Sequence, residues 1–291
     1  MAFLCYDTRV TRDLIHIRKG TLPDLSQIQE FTQNTFSWGD YLPKAWNDWV
    51  RSKRGDLLVA EIERKVVGTI HVRYLENYEA WLEGVRVRHE FRKRGVAGAM
   101  IQAAHERAKK KKCRIIRLET GVDNHAAQRA FEKFGYRAIV EYAEFKAKTG
   151  QGEMTARLAT ADDVSACWSL WDSSWLKRAS KAIVPAVYGW RWWEYTRARL
   201  MNDILGERVW MMRRAFLVLR EMDRESLDIL VLVGAKRDAM KLLSDVKWIA
   251  ARKKKQDVYW LAPHSPRAET WASEARYKLD ETGLVIYACE L

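Results

Sequence analysis

The sequence predicts an α/β chain of the α+β kind, organised as two related domains at residues 1–149 and 150–291. Three observations predict it. β-type segments alternate with amphipathic helical stretches. The opening of the second half repeats the opening of the first. And 291 residues with 48% apolar content suit two cores of ordinary domain size better than one.

In the first half, Leu14–Arg18 reads as a strand. Asp24–Asn34 reads as a helix, with Leu25, Ile28 and Phe31 on one face and Asp24 at its amide-rich start. Pro43–Arg51 is a second helix, rich in tryptophan and opened by Pro43. Leu57–Ile62 and Lys65–Tyr74 are strands around a charged turn, and Ala80–Val87 is another. Gly95–Lys111 is a long helix and Cys113–Thr120 an apolar strand. Asn124–Phe134 is a helix stopped at Gly135, and Tyr136–Lys146 is extended.

The internal similarity is faint but ordered. Ile17-Arg18-Lys19-Gly20-Thr21-Leu22-Pro23-Asp24 matches Ala156-Arg157-Leu158-Ala159-Thr160-Ala161-Asp162-Asp163. A lysine run followed by an apolar strand occurs at 108–118 and again at 251–261. The polar, glycine-containing stretch Lys148–Gly152 is the expected joint.

The formal net charge of +13 favours phosphorylated ligands or polyanions without choosing between them. Cys5, Cys113, Cys167 and Cys289 are scattered, with neither CxxC pairs nor neighbouring histidine clusters. No metal and no disulfide framework are expected, and a reducing cytoplasm is the expected location. No apolar run reaches the roughly 20 residues needed to span a membrane, and MAFLCYDTRVTRD lacks the long apolar segment of a secretory signal.

The chemistry is concentrated in Val85-Arg86-Val87-Arg88-His89-Glu90-Phe91-Arg92-Lys93-Arg94-Gly95-Val96-Ala97-Gly98. A strand enters a basic, glycine-containing loop that opens directly into a helix. Free backbone N–H groups at such a helix mouth converge on an anion, and the helix dipole helps. Arg92, Lys93 and Arg94 add charge at the rim. Neither a Walker loop nor GxGxxG is present.

The pattern Arg-x-x-Gly-x-Ala after a strand ending Val-x-Val resembles the acetyl-CoA motif of the GNAT superfamily of N-acetyltransferases. A second match follows at Leu118-Glu119-Thr120-Gly121-Val122-Asp123-Asn124, Ala127 and Phe131-Glu132-Lys133-Phe134-Gly135-Tyr136. The resemblance implies a mixed, mostly antiparallel, splayed sheet flanked by helices. It implies acetyl-CoA as cosubstrate, with the pyrophosphate at the amides of Arg92, Lys93, Arg94, Gly95, Val96, Ala97 and Gly98. The pantetheine arm would run along Val85, Arg86 and Val87, with Asn124 and Phe131 near the thioester. Glu119 and Glu83 are the candidate bases. Phe131 departs from the tyrosine that often protonates the leaving thiolate in this family, which leaves Tyr136, Tyr142, water or no acid.

The second half keeps the order of elements and loses the cradle. Gly234-Ala235-Lys236-Arg237-Asp238 carries no glycine at the helix mouth, and His264-Ser265-Pro266 replaces the Asn-begun helix start. It reads as a degenerate GNAT-like domain that does not bind CoA. Its tryptophans, Trp168, Trp171, Trp175, Trp190, Trp192 and Trp193, read as core and domain-interface packing, with an aromatic acceptor pocket as the alternative.

The expected function is acetyl transfer to a primary amine: a protein N-terminus, a lysine or a small amine. The alternatives are a non-catalytic acyl-CoA-binding protein and a basic nucleic-acid-associated protein. The latter has the runs Lys109–Lys112 and Arg252–Lys255 but no recognised motif. The GNAT resemblance implies that Phe36–Pro43 is a specificity loop, whose aromatics with Asp40 either host a cationic amine or serve packing.

Overall fold

The computed structural model describes residues 15–36, 39–187, 190–221 and 225–291. Cys5, Leu14, Ser37 and Trp38 lie outside the described residues. By its contacts the chain forms two compact units. The first comprises Met1–Leu118, His125–Arg137 and Ala288–Leu291; the second comprises Glu119–Asn124 and Ala138–Tyr287. The cut is therefore not a single one near 149. The stretch from Ala138 to Lys148 counts with the second unit, and the last four residues count with the first.

In the first unit the elements run β1 (His16–Lys19), α1 (Leu25–Thr32), α2 (Leu42–Arg51), β2 (Gly55–Ile62), β3 (Lys65–Tyr74) and β4 (Glu79–Val87). Then come α3 (Val96–Lys110), β5 (Ile115–Gly121) and α4 (His125–Glu132). β1 to β4 form an antiparallel meander, and β4 turns parallel to β5. The charged turn between β2 and β3 needs Glu63 and Arg64 in the left-handed region, at φ 48° and 66°. Leu291 closes the edge, its N–H donating to Arg114 O at 3.0 Å. Ile28, Leu42, Trp46, Trp49, Leu57, Val59 and Val66 form a core under α1 and α2, with Leu25 and Phe31 packed against it. Leu25, Ile28 and Phe31 are three and four residues apart, so they share one helix face.

Besides Glu119–Asn124, the second unit takes in most of β6 (Arg137–Lys148), followed by β7 (Arg157–Leu158), α5 (Val164–Asp172), α6 (Trp175–Ala179), β8 (Ile183–Pro185), β9 (Trp192–Glu194) and α7 (Arg197–Leu205). It continues with β10 (Val209–Met212), β11 (Ala215–Glu221), β12 (Ser226–Gly234), α8 (Lys236–Arg252), β13 (Asp257–Pro263), α9 (Pro266–Glu274) and β14 (Lys278–Glu290). β7, β10, β11 and β12 are antiparallel; β12 and β13 are parallel; β13 pairs antiparallel with β6. The residues of α8 facing the sheet, among them Leu242, Leu243, Val246 and Ile249, recur at helical spacing and are buried in the core of this unit.

The similarity between the two openings is physical. Arg18 donates to both oxygens of Asp24 at 2.8 Å, and Asp24 accepts from Thr21 N at 2.8 Å. Arg157, Asp163 and Thr160 repeat this, at 2.7 Å for both Arg157 bonds and 2.8 Å for Thr160 N. In both units an Arg–Asp fork and a capping box fix how the first strand enters the first helix. The tryptophans of the second unit pack: Trp171 and Trp192 are fully buried, Trp171 meets Tyr195 edge-on and Trp175 meets Trp271.

Candidate active site in the first unit

β4 and β5 start as neighbours and then part. Their ladder holds Glu79, Ala80 and Trp81 opposite Ile115, Ile116 and Arg117. β4 then runs on to Val87 along β3 alone, with Gly68 opposite Val87 and Thr69 opposite Arg86. Between Arg86 and Glu83 the register slips by one residue, with Gly84 at φ 68°. A bulge of this kind bends one strand away from its neighbour. Gly84 has a second reason to lack a side chain: a Cβ there would meet the Trp49 ring at 2.7 Å.

β4 leads through a short turn at His89–Phe91 into α3. Arg92 donates from Nε to Val87 O at 3.3 Å, and Lys93 is left-handed at φ 62°. Gly95 caps α3 at φ 83° and ψ −2°, and no side chain caps the helix. A Cβ at Gly95 would have nothing within 4 Å, so this mouth is open space framed by backbone. Arg92, Lys93, Arg94 and Gly95 are exposed, while Val96 is buried and anchors the first turn. Gly98 serves packing instead. Its missing Cβ makes room for Phe134, whose ring would lie 2.7 Å away. Val85, Arg86 and Val87 are half-buried along the parted strand.

Glu83 lies on the bulged stretch, its side chain 12% exposed. Nδ1 of His71 stands 2.8 Å from Glu83 Oε1. His71 is fully buried, and the Trp49 ring stacks on it at 4.3 Å and 11°. Nothing in the sequence marked His71, because it sits inside an apolar strand, Val-Val-Gly-Thr-Ile-His-Val. Its cross-strand position opposite Glu83 is the signal that pairing the two strands supplies. Glu119 and Asn124 fall in the stretch that counts with the second unit, Glu119 half-buried on β5 and Asn124 exposed just before α4. The two candidate glutamates are therefore described each in its own unit.

Asp40 is not available to a cationic amine. Its side chain is buried and accepts from Arg86 Nε at 2.7 Å, while the Arg86 guanidinium lies over Phe36 at 5.0 Å and Tyr41 at 5.6 Å. Asp40, Phe36 and Tyr41 thus clamp a cation of β4.

The acetyltransferase (GNAT) family model matches residues 22–136, the segment that holds the parted strands and the glycine-mouthed helix. Residues 22–136 thus belong to the GNAT family of acetyltransferases. Its members are acyltransferases that act on amines. Histidine N-acetyltransferase of Scomber australasicus is 28% identical over 117 residues, 39% of this chain and 34% of that protein. The chain thus matches about a third of that curated relative's length. An uncharacterized N-acetyltransferase of Methanocaldococcus jannaschii is 27% identical over 142 residues, 45% of this chain and 63% of that one. Among solved structures, a GCN5-related N-acetyltransferase from Sphaerobacter thermophilus superposes with a TM-score of 0.65 over 96% of both chains, at 14% identity. That likeness extends the GNAT fold across both units.

Phe131, expected at the place of the GNAT tyrosine, is 7% exposed, its ring edge-on to Tyr136 at 5.5 Å. Neither tyrosine named as a substitute acid is poised for the task. Tyr136 OH is 3.0 Å from His105 Nε2, and burial pushes its phenol well above the ordinary range. Tyr142 donates to Ile183 O at 2.6 Å and is fully buried, which raises its phenol as well. Both hydroxyls hold structure together.

The second unit keeps part of this geometry. β12 and β13 pair from Ser226–Asp257 to Ile229–Trp260, and β12 continues to Gly234. There the likeness to a GNAT cradle stops. Only Ala235 separates β12 from α8, and Ala235 is the cap. Gly234, at φ 122°, lacks a side chain because a Cβ would meet Arg214 O at 2.2 Å. At the later motif, Ser265 caps α9 by accepting from Ala268 N at 3.2 Å, and His264 lies between Glu141 and Glu269 at 2.7 and 2.8 Å.

Proposed function

We propose that this GNAT protein transfers an acetyl group from acetyl-CoA to a primary amine, and that the first domain alone binds the cosubstrate. The observation that carries the reading is the exposed loop beside the parted β4 that ends at α3 in a left-handed glycine with open space at its Cβ, whereas Ala235 alone joins β12 to α8. The fit is physical. A glycine in left-handed conformation with open space at its Cβ leaves room for a phosphate against backbone amides. The amides of Arg92 to Gly98 would hold the pyrophosphate, and the rim cations would neutralise it. The half-buried edge of Val85, Arg86 and Val87 would hold the pantetheine amides. When bound, acetyl-CoA supplies an activated acyl carbon.

Glu83 is the base this reading favours, because its carboxylate is fixed by a partner and reaches the solvent side. It takes the proton released as the amine nitrogen bonds to the acyl carbon and the C–S bond breaks, the electron pair leaving on sulfur. Glu119 is the second candidate. With Tyr136 and Tyr142 already bonded elsewhere, the thiolate leaves unassisted or takes its proton from water. A thiol of ordinary pKa, roughly 8.5, is a fair leaving group.

The name of the fish relative suggests a free amino acid as acceptor, with histidine as the first probe. The test incubates the full chain with labelled acetyl-CoA and the free amino acids, spermidine and a peptide with a free N-terminus. Acetylated amine with one cosubstrate site per chain supports the proposal. Tight acetyl-CoA binding with no acetylated product would favour a CoA-binding regulator. Salt-sensitive DNA binding without CoA binding would favour a nucleic-acid partner.

A further inference from the structure

We infer that His71 is a positioning residue for Glu83, so that the site works through a buried His–Glu dyad; this rests on the reading of Glu83 as the base. The first support is bonding. Nδ1 of His71 faces Glu83 Oε1 at 2.8 Å, while Nε2 is buried with no hydrogen-bond partner. A bare lone pair is cheaper to bury than an N–H, so the ring proton belongs on Nδ1 and is donated to the carboxylate.

The second support is how tightly the ring is held. A Cβ at Gly55 would come within 2.5 Å of His71 Nε2. On the ring's face lies Trp49, which fits because Gly84 has no Cβ. Two glycines and a stacked indole thus fix the imidazole, and the imidazole fixes one carboxylate oxygen. With the histidine fully buried and the glutamate 12% exposed, the carboxylate is the end of the dyad that meets substrate. A freely rotating glutamate would spend part of its time in unproductive rotamers, and misplacement of about 1 Å costs up to roughly 10²-fold in rate.

The third support is the second unit. The offset of 147 that carries the Gly68–Val87 pair onto Ala215–Gly234 carries His71 onto Val218 and Glu83 onto Leu230. Both are apolar and 1% exposed. The unit that lacks the anion mouth also lacks the dyad. The residue that Val218 faces across the strands is Val231 rather than Leu230, and it too is apolar and buried, so neither position offers a polar partner there.

Two measurements test this on the full chain. Long-range proton–nitrogen NMR of imidazole-labelled protein should show His71 as the Nδ1–H tautomer, and Glu83→Gln should perturb that signal. An Nε2–H tautomer overturns the inference without any reference to turnover. Kinetics with acetyl-CoA and L-histidine, or the panel amine that the wild type acetylates, supply the second arm. Glu83→Gln should lower kcat by about 10²–10⁴-fold. His71→Leu should lower kcat by roughly 10–10²-fold with KM for acetyl-CoA within about threefold. His71→Asn, which keeps an N–H near the place of Nδ1, should recover most of that loss. In the Glu83→Gln background, His71→Leu should cost nothing more. If Glu83→Gln is fully active, the base reading falls. If Glu83→Gln is inactive but His71→Leu is not, the base stands and the positioning role falls. Equal losses for Leu and Asn variants, or losses confined to a lowered melting point, also overturn it.

Discussion

Gly95 offers the sharpest separation of fold from binding. Its backbone is left-handed at φ 83°, and a Cβ there meets nothing within 4 Å. Gly95→Ala therefore brings conformational strain without a clash, about 1–2 kcal/mol for an L-residue in that region. The methyl group narrows the mouth but carries no charge. Gly95→Glu brings the same strain and adds a carboxylate where a phosphate is expected. At about 4 Å, like unit charges repel by about 1 kcal/mol in bulk water and about 4 kcal/mol near a protein surface. Because the mouth is exposed, the expected loss lies between those limits, about 5–10³-fold in Kd. The assay is titration calorimetry of CoA into wild type and both variants, with urea unfolding as control. Both variants should share the same small loss of stability, and only Gly95→Glu should lose most of its affinity. If Gly95→Glu binds CoA within threefold of wild type, the phosphate does not sit at this helix mouth. If Gly95→Ala binds as weakly as Gly95→Glu, the effect is backbone distortion and the electrostatic argument fails.

Three further outcomes follow from the packing and charges. Gly98→Ala should cost about 1–3 kcal/mol in urea unfolding, because the new methyl meets the Phe134 ring at 2.7 Å, and Phe134→Leu should relieve part of it. Arg220 and Asp228 form an ion pair with both side chains 1% exposed, bonded at 2.8 Å, while Arg220 also donates to Ala186 O at 2.9 Å. Asp228→Asn should cost about 3–5 kcal/mol, and the apolar double variant Arg220→Met with Asp228→Leu should regain most of it on the same assay. Burial raises the Asp203 carboxyl to about 6, against the opposing pull of Arg208 and the Tyr195 hydroxyl. The folded state then binds a proton more tightly than the unfolded one. Its contribution is complete below the unfolded carboxylate range and is lost as pH rises from about 4 to about 6. Urea unfolding across that range should show wild type losing stability relative to Asp203→Asn as pH rises, and an unchanged difference would refute the assignment.

Elements governed by local pattern were legible in the sequence. β3 has the expected bounds Lys65–Tyr74, α2 begins one residue before Pro43, and α3 starts directly after Gly95. The glycine mouth was legible for the same reason, since capping is a property of neighbouring residues. Features that depend on register were not. His71 gains meaning only from facing Glu83 across two strands. The Arg86–Asp40 clamp joins residues 46 apart, so Asp40 looked like a cation host until its partner was located. Tyr136 and Tyr142 looked like candidate acids because their partners, 31 and 41 residues away, are invisible along the chain. Gly98 was read as part of the cradle, but the ring that needs its small size belongs to the turn after α4. The lysine runs end α3 and α8 as helix dipoles favour.

The membership of Ala288–Leu291 in the first unit has a consequence in time. A ribosome adding roughly 5–20 residues per second needs on the order of 10–30 s to travel from Arg137 to Ala288. Throughout that interval the nascent first unit lacks its closing edge at Arg114, where Leu291 N–H later donates. An open strand edge invites pairing with other chains. The anion mouth thus emerges early in synthesis, well before the residues that complete the sheet supporting it.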